Sequence, residues 1–89
     1  MEKRHNDELM HRIDEVANLG VSAIKWWEIR LWYNRERIGK TIWRDLKARF
    51  DEAAEDSNAE LWIYESEESV TLVHSDLLKP ITDKMGEED

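Results

Sequence analysis

Residues 22–33 read Ser-Ala-Ile-Lys-Trp-Trp-Glu-Ile-Arg-Leu-Trp-Tyr and hold three of the five tryptophans of an 89-residue chain. So much aromatic surface in one short stretch must be covered by a core or by a partner. The period of the stretch decides which elements the rest of the chain has to build around it. As a strand, it places Trp27, Ile29, Leu31 and Tyr33 on one face and Glu28, Arg30 and Trp32 on the other. Trp, Ile and Tyr favour strands, and the strand is the preferred reading. As a helix, it sets Trp26, Ile29 and Tyr33 opposite Ile24, Trp27 and Leu31, with Lys25 and Glu28 inside the apolar arc. The Leu, Arg, Lys and Glu content supports that alternative.

The flanking segments are clearer. Residues 7–19 carry Leu9, Ile13 and Val16 at helical spacing, with Met10 and Ala17 widening the stripe. Asn6 or Asp7 is expected to cap this helix, and Gly20 suits its left-handed end. Residues 34–40 read as a loop. Thr41 is the expected cap of a helix over 41–56 with Ile42, Trp43, Leu46, Phe50 and Ala53 on its inner stripe. Asp45–Arg49 and Lys47–Asp51 are i,i+4 pairs on its wet side. Two short β runs follow, at 60–65 and 69–74. A two-residue turn at Glu67-Glu68 pairs Glu65 with Val70, Ile63 with Leu72 and Trp62 with Val73. Residues 75–78 begin a short helical turn that Pro80 does not favour continuing. The expected domain is 1–81, with 82–89 a flexible acidic tail.

The order is then α-β-α-β-β, an α+β domain with two helices on one face of a three-stranded antiparallel sheet. Trp27, Ile29, Leu31, Leu61, Ile63, Val70 and Leu72 meet Leu9, Ile13, Val16, Ile42, Leu46 and Phe50 in the core. The second sheet face carries Trp26, Trp32, Trp62 and Tyr64 beside Arg30. That patch exceeds what monomers expose, so it is expected to be covered, most simply by a second copy in a homodimer.

Charge divides the chain further. The net charge is −8, from 21 acidic and 13 basic residues. Residues 25–50 hold eight Lys or Arg and three acids, or +5, whereas residues 51–78 hold nine acids and no Lys or Arg, or −9. Glu60, Glu65, Glu67 and Glu68 are therefore candidates to bind a basic surface on another protein. The leading functional expectation is a non-enzymatic interaction module, a small regulator or inhibitor. By size and charge alone, it is similar to regulators and inhibitors carried by phages and mobile elements. The alternative uses the basic segment. With 22–37 helical, three helices precede a β hairpin, an order that resembles a winged helix. Helix 41–56 would then read nucleic acid, with Arg35, Arg37, Lys40, Arg44 and Lys47 as contacts and Arg49 near phosphates. The acidic hairpin argues against it, since phosphate would repel a wing of that charge. An aromatic strand face stacking single-stranded bases is its other form.

Other chemistry is excluded or thin. There is no cysteine, hence no disulfide, thiolate nucleophile or sulfur-ligated zinc. Gly39-Lys40-Thr41 lacks the earlier glycine of a phosphate loop, since position 34 is Asn. Glu8 and His11 form a single Glu-x-x-His element where carboxylate-bridged metals need two. Asp7, His11 and Glu15 share a solvated helix face. No catalytic constellation, cofactor or metal is expected. No apolar run is long enough to cross a membrane, residues 1–8 carry no signal-like apolar stretch, and the expected compartment is the cytoplasm.

Overall fold

A computed structural model describes residues 1–55 and 58–85. The element order is α1 (Lys3–Leu19), β1 (Val21–Lys25), α2 (Trp26–Tyr33), α3 (Lys40–Ala54), β2 (Leu61–Glu65), β3 (Ser69–His74), a 3₁₀ turn (Ser75–Leu77) and α4 (Thr82–Met85). The class is α+β, and the three strands form one antiparallel sheet in the order β1-β3-β2. The expected class and sheet stand. The expected α-β-α-β-β order does not, because residues 22–33 divide between a strand and a helix.

The division has a physical cause. β1 pairs with β3 from Val21↔Val73 to Lys25↔Ser69, and β3 begins at Ser69. One more ladder bond, from Trp26 N–H to the Glu68 carbonyl (3.1 Å), closes the register. A strand continuing past Trp26 would find no partner for its backbone groups, and a helix satisfies them internally. Glu28 favours the switch, since its Oε1 accepts the Lys25 N–H at 3.0 Å and its charge sits in the first turn of α2. The helix ends at Asn34, which is left-handed with φ 54°.

α1 starts earlier than expected. Its first residue is Lys3, neither Asn6 nor Asp7 caps it, and the Glu2 carbonyl accepts the Asn6 N–H at 2.9 Å. It ends as expected, at Gly20 with φ 99°. A Cβ there would also stand 2.8 Å from Leu77 Cδ1, so a side chain is excluded by both conformation and space. α3 is preceded by Gly39, not capped by Thr41, and it ends at Ala54. The β2–β3 register matches the expected one at Glu65↔Val70, Ile63↔Leu72 and Trp62↔Val73. Ser66 N–H donates to the Ser69 carbonyl (2.9 Å) across the Glu67-Glu68 turn. The 3₁₀ turn falls where a short helical turn was expected. Within the expected tail, residues 82–85 form a helical turn, and the remainder lies outside the described residues.

The core joins Leu9, Ile13 and Val16 of α1, Ile24 of β1, Ile29 and Trp32 of α2, Ile42, Leu46 and Phe50 of α3, and Val70 and Leu72 of β3. The expected core needs three corrections. Trp27 and Leu31 lie on the outer side of α2, exposed by 57% and 50%, because the helix turns Trp26, Ile29 and Trp32 inward instead. Ile63 is 44% exposed because it sits on the edge strand, where the helices do not fully cover it. The interior places that are polar find partners: Ser22 Oγ donates to Glu15 Oε1 (2.8 Å), and His74 Nδ1 accepts the Asp76 N–H (3.2 Å).

Candidate nucleic-acid interface

α2 and α3 are joined by residues 34–39 and tied to each other by side chains. Trp26 and Trp43 meet edge to face, with centroids 6.2 Å apart. Tyr33 Oη donates to Asp45 Oδ2 at 2.5 Å, and Arg49 Nε donates to the same oxygen at 2.7 Å. Arg49 Nη1 reaches on to Asn6 Oδ1 of α1 (2.8 Å). Arg49 is thus committed to α1 and to Asp45, not free as the nucleic-acid expectation required.

A second set of bonds fixes α2 against α1. Arg12 donates to the Ala23 carbonyl (2.7 Å) and to Glu28 Oε2 (3.1 Å), and its guanidinium lies 5.6 Å from the Trp32 ring centroid. This explains how a helix can carry Glu28 within its apolar arc: the carboxylate meets a cation from another element. The signal for it in the sequence is Arg12 alone, on the otherwise polar side of α1.

The Tyr33–Asp45–Arg49 set perturbs two titrations. Burial, and then the bond to Asp45, pushes the Tyr33 phenol well above the ordinary tyrosine range. Burial opposes the charge on Asp45, but the bonds from Tyr33 and Arg49 outweigh it and hold its carboxyl below the usual range. A phenol whose pKa is raised by folding contributes stability below its unfolded pKa, about 10, and loses that contribution as the pH rises beyond it. Urea midpoints should therefore fall above about pH 10, and Tyr33→Phe should flatten that fall. Equal alkaline losses in both proteins would remove Tyr33 as the cause. Asp45 acts in the opposite window, contributing above about pH 4 and losing it as the solution is acidified.

The remaining bases of this stretch are not used internally. Arg30, Arg35, Arg37, Lys40 and Arg44 are exposed, and among the described residues none forms an ion pair. Lys47 is held by Asp51 at 2.6 Å, as its i,i+4 spacing led us to expect. The exposed side of α3 is consequently basic at its start (Lys40, Arg44) and acidic at its end (Asp51, Glu52). Arg35 and Arg37 stand in the turn that leads into α3.

The aromatic face expected of Trp26, Trp32, Trp62 and Tyr64 does not form. Trp32 is 3% exposed in the core, and Trp26 is half-buried with Nε1 donating to the Ser66 carbonyl (2.8 Å). Trp62 and Tyr64 do share a side of β2, exposed by 51% and 68%. Arg30 belongs to the outer side of α2, not to the sheet. Glu60, Glu65, Glu67 and Glu68 are all exposed. Glu60 accepts the Trp62 indole N–H (3.0 Å). Glu67 and Glu68 line a cleft of about 320 Å³ together with Lys25, Trp26, Trp27 and Arg30, so part of the acidic segment lies beside basic groups of its own chain.

The sequence's metal-like set is divided: Asp7 pairs with Lys3 (3.0 Å), and Glu15 lies 3.5 Å from His11 Nε2 while accepting from Ser22. Among the described residues, no group of three or more His, Asp or Glu is placed to hold a metal ion, and no helix is long and apolar enough to cross a membrane. Comparison with known protein families, curated proteins and solved structures finds no match to this chain.

Proposed function

We propose that this chain is a binding protein for double-stranded nucleic acid, not an enzyme, and that α3 enters the major groove. The observation that carries the reading is the group of bases, unpaired among the described residues, at the connection between α2 and α3 and the start of α3. Among the described residues, Arg35, Arg37, Lys40 and Arg44 have no carboxylate partner, and they stand at the turn and at the start of α3. A reading helix presents its N-terminal residues to the bases while neighbouring groups fix the phosphates. The order α1-β1-α2-α3-β2-β3 resembles that of a winged helix, the alternative raised by the sequence.

The acidic hairpin turn is less of an obstacle than its composition implies. It folds back on the start of α2, where Trp26 binds the Ser66 and Glu68 carbonyls. Arg35 and Arg37 follow the other end of that eight-residue helix, about 12 Å away along its axis. For those two bases that is more than a Debye length of about 8 Å at physiological salt, whereas Arg44 follows Trp43, which packs on Trp26 beside the turn.

Fluorescence anisotropy with a random-sequence DNA duplex tests the proposal. If four bases meet phosphates, log K should fall with log salt at a slope of about −3.6, from about −0.9 per contact. Arg37→Ala and Arg44→Ala should each make that slope shallower by about 1. Absence of binding at about 50 mM salt, or slopes untouched by both variants, counts against it.

A second reading is supported by the exposure of Glu60, Glu65, Glu67 and Glu68, which suit a regulator or inhibitor that docks on a basic protein surface. In that case DNA binds no better than background, while association with a basic partner weakens steeply with salt.

A further inference from the structure

The geometry points to β2 as a self-pairing edge through which two copies of this chain join their sheets into one. This inference is independent of the nucleic-acid reading. β2 is one of the two outer strands of the order β1-β3-β2, and among the described residues one side of its backbone has no partner strand.

The hydrogen-bond phase shows which residues face that open side. Ser66 N–H bonds the Ser69 carbonyl, and Ser75 N–H bonds the Glu60 carbonyl. In an antiparallel ladder, bonded pairs alternate with non-bonded ones. With the β2–β3 register, residues 60, 62, 64 and 66 therefore turn their backbone groups toward β3. Leu61, Ile63 and Glu65 turn theirs outward. An antiparallel copy centred on Ile63 places Ile63 opposite Ile63, and Leu61 opposite Glu65 of the second copy. Those three pairs are all outward-facing, so each forms two backbone bonds, about six in all.

The side chains agree with that register. Trp62 falls opposite Tyr64 of the second copy, and Tyr64 opposite its Trp62. Both are non-bonded pairs, where side chains approach most closely, and aromatic cross-strand pairs are among the more stabilising. Glu65 lies opposite Leu61 and Glu60 opposite Ser66, so no two carboxylates face each other. A shift by one residue breaks the hydrogen-bond phase. On the inner side, Ile63, Leu61, Trp43, Leu46 and Leu72 line, together with Lys47, a mostly apolar groove of about 240 Å³. The second copy's Ile63 falls beside the Ile63 that lines it.

Exposed, flat and apolar edge strands are ordinarily protected by charge, proline or a bulge. β2 carries no proline and keeps a regular register with β3, and its one charge, Glu65, stands at its end. The exposed parts of Trp62, Tyr64, Leu61 and Ile63 from both copies set a ceiling on the order of 900 Å² on the area removed from water, below the standard interface size. The pairing is thus sized for a weak, reversible dimer in the micromolar range.

Sedimentation velocity of the full chain from about 5 to 500 µM provides the test. The wild type should shift from monomer to dimer across that range. Ile63→Lys should remain monomeric with an unchanged far-UV spectrum, and so should Ile63→Pro, which removes the outward N–H on an edge strand that tolerates proline. Because the chain has no cysteine, register can be read directly. Ile63→Cys should oxidise to a covalent dimer, since opposed Cα atoms about 5.5 Å apart accept a disulfide. Glu65→Cys should not, because its copies lie four residues out of register, about 14 Å apart. A wild type monomeric throughout, a dimer that survives Ile63→Lys, or equal cross-linking of the two cysteine variants overturns the proposal.

Discussion

Truncation of Trp32 to alanine is expected to cost about 3–5 kcal/mol, a large share of the roughly 5–13 kcal/mol available to a domain of this size. The indole is 3% exposed and fills the space between α1, α2 and the sheet, with the Arg12 guanidinium over its ring. Removing it leaves a cavity and takes the cation's aromatic partner away. Trp62→Ala provides the comparison. That ring lies on the outer face of β2, and at concentrations where the chain is monomeric its loss should cost about 1 kcal/mol or less. Urea unfolding of the two variants reads the difference. Similar midpoints would mean that Trp32 is not a core residue.

The next largest effect belongs to Arg12. Its side chain binds a carbonyl of β1, a carboxylate of α2 and the face of Trp32, so one residue joins three elements. Arg12→Ala should lower stability by about 2–3 kcal/mol, because the mostly buried Glu28 carboxylate then loses its cation. Glu28→Ala should cost a similar amount, part of it from the lost bond to the Lys25 N–H at the head of α2. In a double-mutant cycle the two should couple by about 1 kcal/mol. Strict additivity would show that the pair adds nothing beyond its separate bonds. Arg12→Lys should not rescue, since an ammonium cannot serve a carbonyl and a carboxylate with one planar fork.

Regular elements with a single amphipathic stripe were readable in the sequence. Leu9, Ile13 and Val16 marked α1, Ile42, Leu46 and Phe50 marked α3, and the hairpin register followed from alternation around Glu67-Glu68. Residues 22–33 depart from the strand expected of them because tertiary pairing, not local period, sets where β1 ends. Their strand ends where β3 supplies no further partner, and nothing within those residues records the length of β3. The tryptophans depart with them: once α2 is a helix, Trp26 and Trp32 turn inward and Trp27 turns out. The basic segment was legible as a charge excess. Which bases are free was not, because pairings such as Arg49 with Asn6 span 43 residues.

The junction between β1 and α2 contains no intervening residue: Lys25 closes the strand and Trp26 opens the helix. Mechanically, the sheet and α2 form a bar without a joint. Rotation about that point would require breaking the Trp26 bonds to both Ser66 and Glu68, so bending of the hairpin turn and tilting of α2 are one motion. Any load placed on the β2–β3 hairpin is therefore carried through α2 to the basic turn that precedes α3.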